Sequence, residues 1–108
     1  MAESFIIVLI TVPNMETGQE IADELLRNKL AACVNILSPI HSIFTWHGNI
    51  TNEEEALLLV KTRAELFENQ LVPTIRAIHP YEVPEIIALP ILMGSQPYLD
   101  WIKENTQG

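Results

Sequence analysis

Two long extended arms meet at Gly48-Asn49, and they restrict the possible folds more than anything else in the chain. The first arm, Leu30-Ala31-Ala32-Cys33-Val34-Asn35-Ile36-Leu37, resumes after Ser38-Pro39 through Ile40, Ile43, Phe44 and Trp46. Proline lacks a ladder donor and is tolerated at edges and bulges, so a bend is expected at Ser38-Pro39. Gly48-Asn49 accepts positive φ and predicts a two-residue hairpin turn. The second arm runs from Ile50 through Glu53-Glu54-Glu55 to Ala56-Leu57-Leu58-Leu59-Val60-Lys61-Thr62. Its acidic half is expected in solvent and its apolar half in the core. Arms this long overhang the sheet that 108 residues can build. Overhanging strands leave main-chain donors and acceptors without partners, a need that pairing between copies of the chain would meet.

The other elements fall into place around this ribbon. Phe5 to Val12 is an unbroken, largely β-branched apolar run, the pattern of a central strand covered on both faces, and Pro13 ends it. Asn14 is placed to cap a helix whose stripe is Ile21, Ala22, Leu25, Leu26 and Leu30. Thr62 and Glu65 have capping-box spacing ahead of a second stripe, Leu66, Phe67, Leu71, Ile75 and Ile78. Pro73 lies too deep for a first-turn proline if that helix starts near Ala64, so a kink or a split into two pieces is expected. Pro80 closes the helix, Glu85 to Ile91 reads as a last strand, and Tyr98, Leu99, Trp101 and Ile102 mark a short final helix. Strand, helix, strand, strand, helix, strand is the split βαβ order. The expected fold is therefore α+β and ferredoxin-like (βαββαβ), with two helices on one face of an antiparallel sheet.

Composition narrows the function. The net charge of −8, with no window rich in Lys or Arg, argues against nucleic acid and anionic membranes as partners. No segment approaches the roughly 20 apolar residues of a membrane span, and the acidic start Met1-Ala2-Glu3 is unlike a secretory leader. The lone Cys33 suits a reducing compartment, so a cytoplasmic protein is expected. Without linkers, repeats or low-complexity stretches, residues 1–108 read as one domain. At 48% hydrophobic residues the chain is apolar for its size, which fits a surface shared with other subunits.

Several separate strings agree, in order, with one family. Leu30-Ala31-Ala32-Cys33-Val34-Asn35, Trp46-His47-Gly48-Asn49-Ile50, Leu59-Val60-Lys61-Thr62, His79-Pro80-Tyr81-Glu82-Val83-Pro84-Glu85-Ile86 and Tyr98-Leu99 with Trp101 resemble CutA, the divalent-cation tolerance proteins. The resemblance covers roughly Phe5 to Trp101. It implies a ferredoxin-like subunit, a tight homotrimer built through long strands, and a cytoplasmic role tied to copper and other divalent metals. The family also resembles the trimeric PII-type signalling proteins in architecture. In copper-binding bacterial relatives the implied site is a cysteine near the end of the first strand and two adjacent histidines before Pro-Tyr. The matching positions here are Ile10, Ile78 and His79. Isoleucine offers no lone pair, so two of the three implied ligands are replaced.

Among chemistry-bearing residues, His79 is the candidate metal ligand, since imidazole binds copper and zinc and Pro80 stiffens the backbone after it. Cys33, Glu82, Glu85 or a neighbouring subunit would have to supply the other donors. Alternatively, His79 caps a helix end or bonds within the assembly. Cys33, set between Ala32 and Val34, reads first as a buried small hydrophobe. His41 and His47, six positions apart, fall on the same side of an ideal strand. Lys61, Tyr81, Glu85, Trp46 and Trp101 each join an apolar body to a polar tip that needs a partner if buried. A Lys61 to Glu85 ion pair beside Tyr81 is expected. Such residues could line a cleft between subunits for a small anion or metabolite, or could simply fix the interface. No phosphate loop, zinc-helix motif, nucleophile elbow or cysteine cluster is present, so the sequence points away from an enzyme.

Overall fold

The computed structural model describes residues 4–108, so the acidic start Met1-Ala2-Glu3 lies outside the described residues. Strand β1 (Phe5–Val12) leads to helix α1 (Met15–Arg27), then β2 (Cys33–Trp46) and β3 (Asn49–Arg63). After β3 come a 3₁₀ turn (Ala64–Leu66), a π turn (Phe67–Leu71), α2 (Val72–Ile78), β4 (Ile86–Pro90) and α3 (Gln96–Glu104). The four strands form one antiparallel sheet in the order β2-β3-β1-β4, the split βαβ arrangement.

Asn14 caps α1 as expected, its side chain accepting from the Thr17 N–H at 2.8 Å. Gly18 lets α1 approach the sheet closely. A Cβ there would stand 3.1 Å from Leu58 Cδ1 and 3.4 Å from Val12 Cγ2. Ile21 and Leu25 of α1 and Ile75 of α2 are fully buried against Val8, Ile10, Val12, Leu58 and Val60, the helix-facing side of the sheet.

The other side is covered differently from the two-faced burial that the run Phe5 to Val12 suggests. Along β1, buried and half-buried residues alternate. On the second face Leu9 sits opposite both Leu59 and Ile87, and Ile7 opposite Leu89. Ile87 and Leu89 remain 50% and 49% exposed. Helix α3 covers only one end of this face, where the buried Arg63 donates to Thr106 Oγ1 at 2.9 Å.

The ribbon overhangs as expected. Strand β1 pairs with β3 only over Ala56–Arg63, whereas β2 continues to pair with β3 down to Asn49. Among the described residues, the stretch 49–55 is thus paired on one edge alone, about 23 Å of strand at roughly 3.3 Å per residue.

Some local boundaries differ from the sequence reading. The turn is His47-Gly48, with φ of 50° and 80°, and Asn49 already pairs with Trp46. Two consecutive positive φ values make the primed turn that matches strand twist. His47 therefore sits in the turn and His41 on the strand opposite Glu54, so the two do not share a strand face. Leu30 to Ala32 form a connection, because Lys29 at φ 55° turns the chain before β2 begins at Cys33. Thr62 makes no capping box. It belongs to β3, and its hydroxyl donates to the Leu30 carbonyl at 2.7 Å. The helical stretch after β3 is divided as Pro73 requires: a π turn ends at Leu71, and proline takes the first turn of α2, where its missing N–H costs nothing.

Candidate functional site

Ser38-Pro39 does more than bend β2. Leu37 pairs with Leu57 and Ile40 with Glu55, three steps on β2 against two on β3. This bulge inverts the facing of the rest of the strand. Ser42, Phe44 and Trp46 consequently share a face with Glu53 and Glu55, and that face is the one left open by the helices.

The loop after α2 closes over it. His79 is the C-cap of α2, its N–H donating to the Ile75 carbonyl at 2.8 Å. Its Nε2 lies 2.8 Å from the Thr11 carbonyl, which can only accept, so Nε2 carries the proton. Nδ1 in turn accepts the Tyr81 N–H at 3.1 Å. Of the roles open to His79, the helix-end cap is the one seen, and neither ring nitrogen has a lone pair to spare in this arrangement. The His79 and Tyr81 rings pack with centroids 4.8 Å apart. The Tyr81 hydroxyl then donates to Glu55 Oε2 at 2.6 Å. Burial, followed by the hydrogen bond and charge of Glu55 and the charge of Glu53, pushes the Tyr81 phenol well above its ordinary value.

Glu55 departs from the expected solvated acidic run, being only 6% exposed. Ala56 next to it faces the helices, so alternation turns Glu55 to the opposite face, under Tyr81. Sequence reasoning missed this residue. The signal was its even spacing with Leu57 and Leu59, which continues the apolar alternation by one step.

Ribbon and loop together enclose a cleft of about 710 Å³. Phe44, Trp46 and Tyr81 supply aromatic wall, and Glu53, Glu55, Glu82 and Glu85 supply carboxylates. Within one subunit its lining includes no Lys, Arg or His.

The residues singled out from sequence separate into two groups. Trp46, Tyr81 and Glu85 line the cleft, with His79 bonded at its rim. Lys61, Cys33 and Trp101 lie toward the other end of the open face. Lys61 pairs in register with Ile7 and Cys33, and its ammonium donates to Asn35 Oδ1. The expected Lys61 to Glu85 ion pair is replaced by this contact. Glu85 precedes Ile86, which sits opposite Ile10, while Lys61 lies three residues beyond Leu58, the other partner of Ile10. Trp101 stacks on Tyr98 with centroids 5.6 Å apart. The Tyr98 phenol is pushed up by burial and then by the neighbouring Cys33. Cys33 and His79 are not brought together. Among the described residues no three His, Cys, Asp or Glu side chains converge to hold a metal ion, and no helix is long and apolar enough to cross a membrane.

Residues 6–105 match the family model described as CutA1 divalent ion tolerance protein. The chain is 50% identical over 100 residues to the divalent-cation tolerance protein CutA of Thermus thermophilus, covering 93% of this chain and 96% of that one. It is 47% identical to the chloroplastic protein CutA of Arabidopsis thaliana over 94% of its own length, and spans 56% of that relative. The crystal structure of CutA1 from Oryza sativa superposes with a TM-score of 0.92 at 44% identity, covering 96% of this chain and 94% of that one.

Proposed function

Since the chain belongs to the CutA1 divalent ion tolerance protein family, we propose that it serves divalent-metal tolerance, copper included, as a cytoplasmic homotrimer without catalytic activity. The observation that carries the assembly is the unfinished second face of the sheet. Ile87 and Leu89 are half exposed there, and the ribbon's Ile43 and Ile50 are 68% and 79% exposed. Sister copies packed on that face would bury Ile87 and Leu89, and a neighbour docked along the 49–55 edge would complete the ladder and shelter the ribbon, whose Ile43 and Ile50 point to the opposite face. Metal contact is weak or indirect in this reading. Ile10 and Ile78 stand at two implied ligand positions, and His79 uses both ring nitrogens within the chain.

Sedimentation velocity tests the assembly directly: a mass of three chains supports it, and a mass of one chain with the fold intact defeats it. Titrating copper and zinc calorimetrically into wild type and His79→Ala tests the metal reading. Matching isotherms are expected, while a high-affinity site abolished by the substitution would restore His79 as a ligand.

A second reading is favoured by the cleft. A cavity of about 710 Å³ with aromatic walls is of ligand-binding size. In that reading the protein is a PII-like signalling or scaffold trimer that receives a small molecule or a partner protein in the clefts between subunits, to which this face of each subunit contributes.

A further inference from the structure

Asn28 and Gln107 are oriented so that their amide oxygens are what they can offer a ligand. Asn28, which closes α1, spends its side-chain nitrogen on the Glu24 carbonyl at 2.8 Å and on Glu24 Oε2 at 3.0 Å. Gln107 spends its side-chain nitrogen on the Asn28 carbonyl at 2.8 Å, and its main-chain N–H donates to the Lys29 carbonyl at 2.8 Å. A carbonyl only accepts, so these bonds fix which end of each amide is nitrogen. They leave Asn28 Oδ1 and Gln107 Oε1 as the atoms that the two side chains can turn outward. Both residues line a groove of about 520 Å³ between α1 and α2. The groove lies on the helix-bearing side of the sheet, away from the face that sister copies would cover, so it stays open in the assembly.

The rest of the groove favours positive charge. Its lining holds Glu24 and no Lys, Arg or His. Glu24 shares its charge with Arg27, whose Nη1 lies 3.0 Å away, so the preference does not rest on that carboxylate alone. Helix α1 ends at Asn28, which puts the negative end of its dipole on the same wall. Across the groove, Pro73 has no N–H and the Val72 N–H is spent on the Phe67 carbonyl. Asn69, Gln70 and Thr74 can turn either a donor or an acceptor inward, so the fixed oxygens decide the choice. Among the described residues no three metal-ligating side chains converge, which excludes a chelated ion here too. Leu30, Pro73, Ala77 and Ile78 give the groove an apolar strip beside its acceptors.

We propose that this groove binds a small primary amine, its ammonium head donating to Asn28 Oδ1 and Gln107 Oε1 and its alkyl body resting on Pro73, Ala77 and Ile78. An ammonium carries three donors on a compact charge, which suits several oxygens on facing walls better than a flat guanidinium does. This site is separate from the clefts between subunits and stands whether or not the ligand-binding reading of those clefts holds.

The test titrates the full chain with butylammonium, butyltrimethylammonium and butanesulfonate. Binding is read by calorimetry and by the side-chain amide resonances of Asn28 and Gln107. Saturable uptake of butylammonium that moves both resonances is expected. Butyltrimethylammonium has the charge without the N–H donors and should bind at least ~tenfold more weakly, and butanesulfonate should not bind. Gln107→Ala removes one acceptor and should weaken butylammonium about fivefold. Ala77→Lys, at an exposed position of α2, lays an ammonium of the chain's own over the groove and should abolish uptake. Circular dichroism and assembly mass, measured on each variant, should match wild type. If Gln107→Ala fails to fold, Ala77→Lys alone decides. Absence of butylammonium uptake, equal uptake of the trimethyl cation or of the anion, indifference to the substitutions, or binding that moves the Trp46 indole resonance in place of Asn28 and Gln107 overturns the proposal.

Discussion

Tyr81 Oη stands 2.6 Å from Glu55 Oε2, joining the loop after α2 to the middle of β3 across twenty-six positions of sequence. The hydroxyl is the donor, so the bond exists only while the phenol keeps its proton. The chain has two tyrosines, and both phenols are raised, Tyr81 by burial and Glu55 and Tyr98 by burial and Cys33. A group whose folded value lies above its unfolded one holds its proton longer in the native state. Its stabilisation is complete below the unfolded value near 10 and fades as pH rises beyond it. Ultraviolet titration of the native protein should therefore show little phenolate at pH 10, with the ordinary midpoint returning in denaturant, and stability should fall as pH climbs above 10. A native midpoint at the ordinary tyrosine value would contradict the Tyr81 to Glu55 contact.

His79→Ala removes two hydrogen bonds, to the Thr11 carbonyl and from the Tyr81 N–H, in a residue only 8% exposed. A loss of about 2 kcal/mol is expected from chemical denaturation. A change within error would mean that the loop is held by Tyr81 and Pro80 without the imidazole.

Gly18→Ala sets helix propensity against packing. Alanine favours a helix interior by about 1 kcal/mol over glycine, but the new methyl would press on Leu58 and Val12, both fully buried in the core. Overpacking of this sort costs about 1–3 kcal/mol, so the variant should melt lower than wild type. A higher melting temperature would show that α1 can lift off the sheet cheaply.

Leu89→Glu puts a charge on the open face of the sheet, at a side chain that is half exposed in the subunit. The single chain can tolerate this, whereas copies packed on that face cannot. Sedimentation should find a reduced mass with native circular dichroism retained. An unchanged trimer mass would move the contact between copies to another surface.

Much of the fold was legible because its signals are local. Asn14 ahead of an amphipathic stripe, the apolar run before Pro13, and the two arms around a glycine each carry their structure in a few residues. The site was less legible because it depends on facing. One extra residue at Ser38-Pro39 exchanges the two sides of β2 beyond it, and only then do Phe44 and Trp46 meet Glu53 and Glu55. A string of letters shows that a proline bends a strand but not whether the bend inserts a residue. Lys61 and Glu85 looked adjacent because both seemed to mark strand ends, yet the register of β1 between their strands keeps them apart. Glu55 was misplaced for a related reason: three consecutive glutamates look solvated, while alternation and a loop from elsewhere in the chain cover just one of them.

The ribbon's far half also carries a two-beat record of its surroundings. Successive amides of a strand point to opposite edges, so along 49–55 every second N–H is tied to β2 while its neighbours face away from β2. In deuterated water a solitary subunit would exchange those outward protons fast and the tied ones slowly, in strict alternation. An edge docked on a sister chain would slow both sets alike.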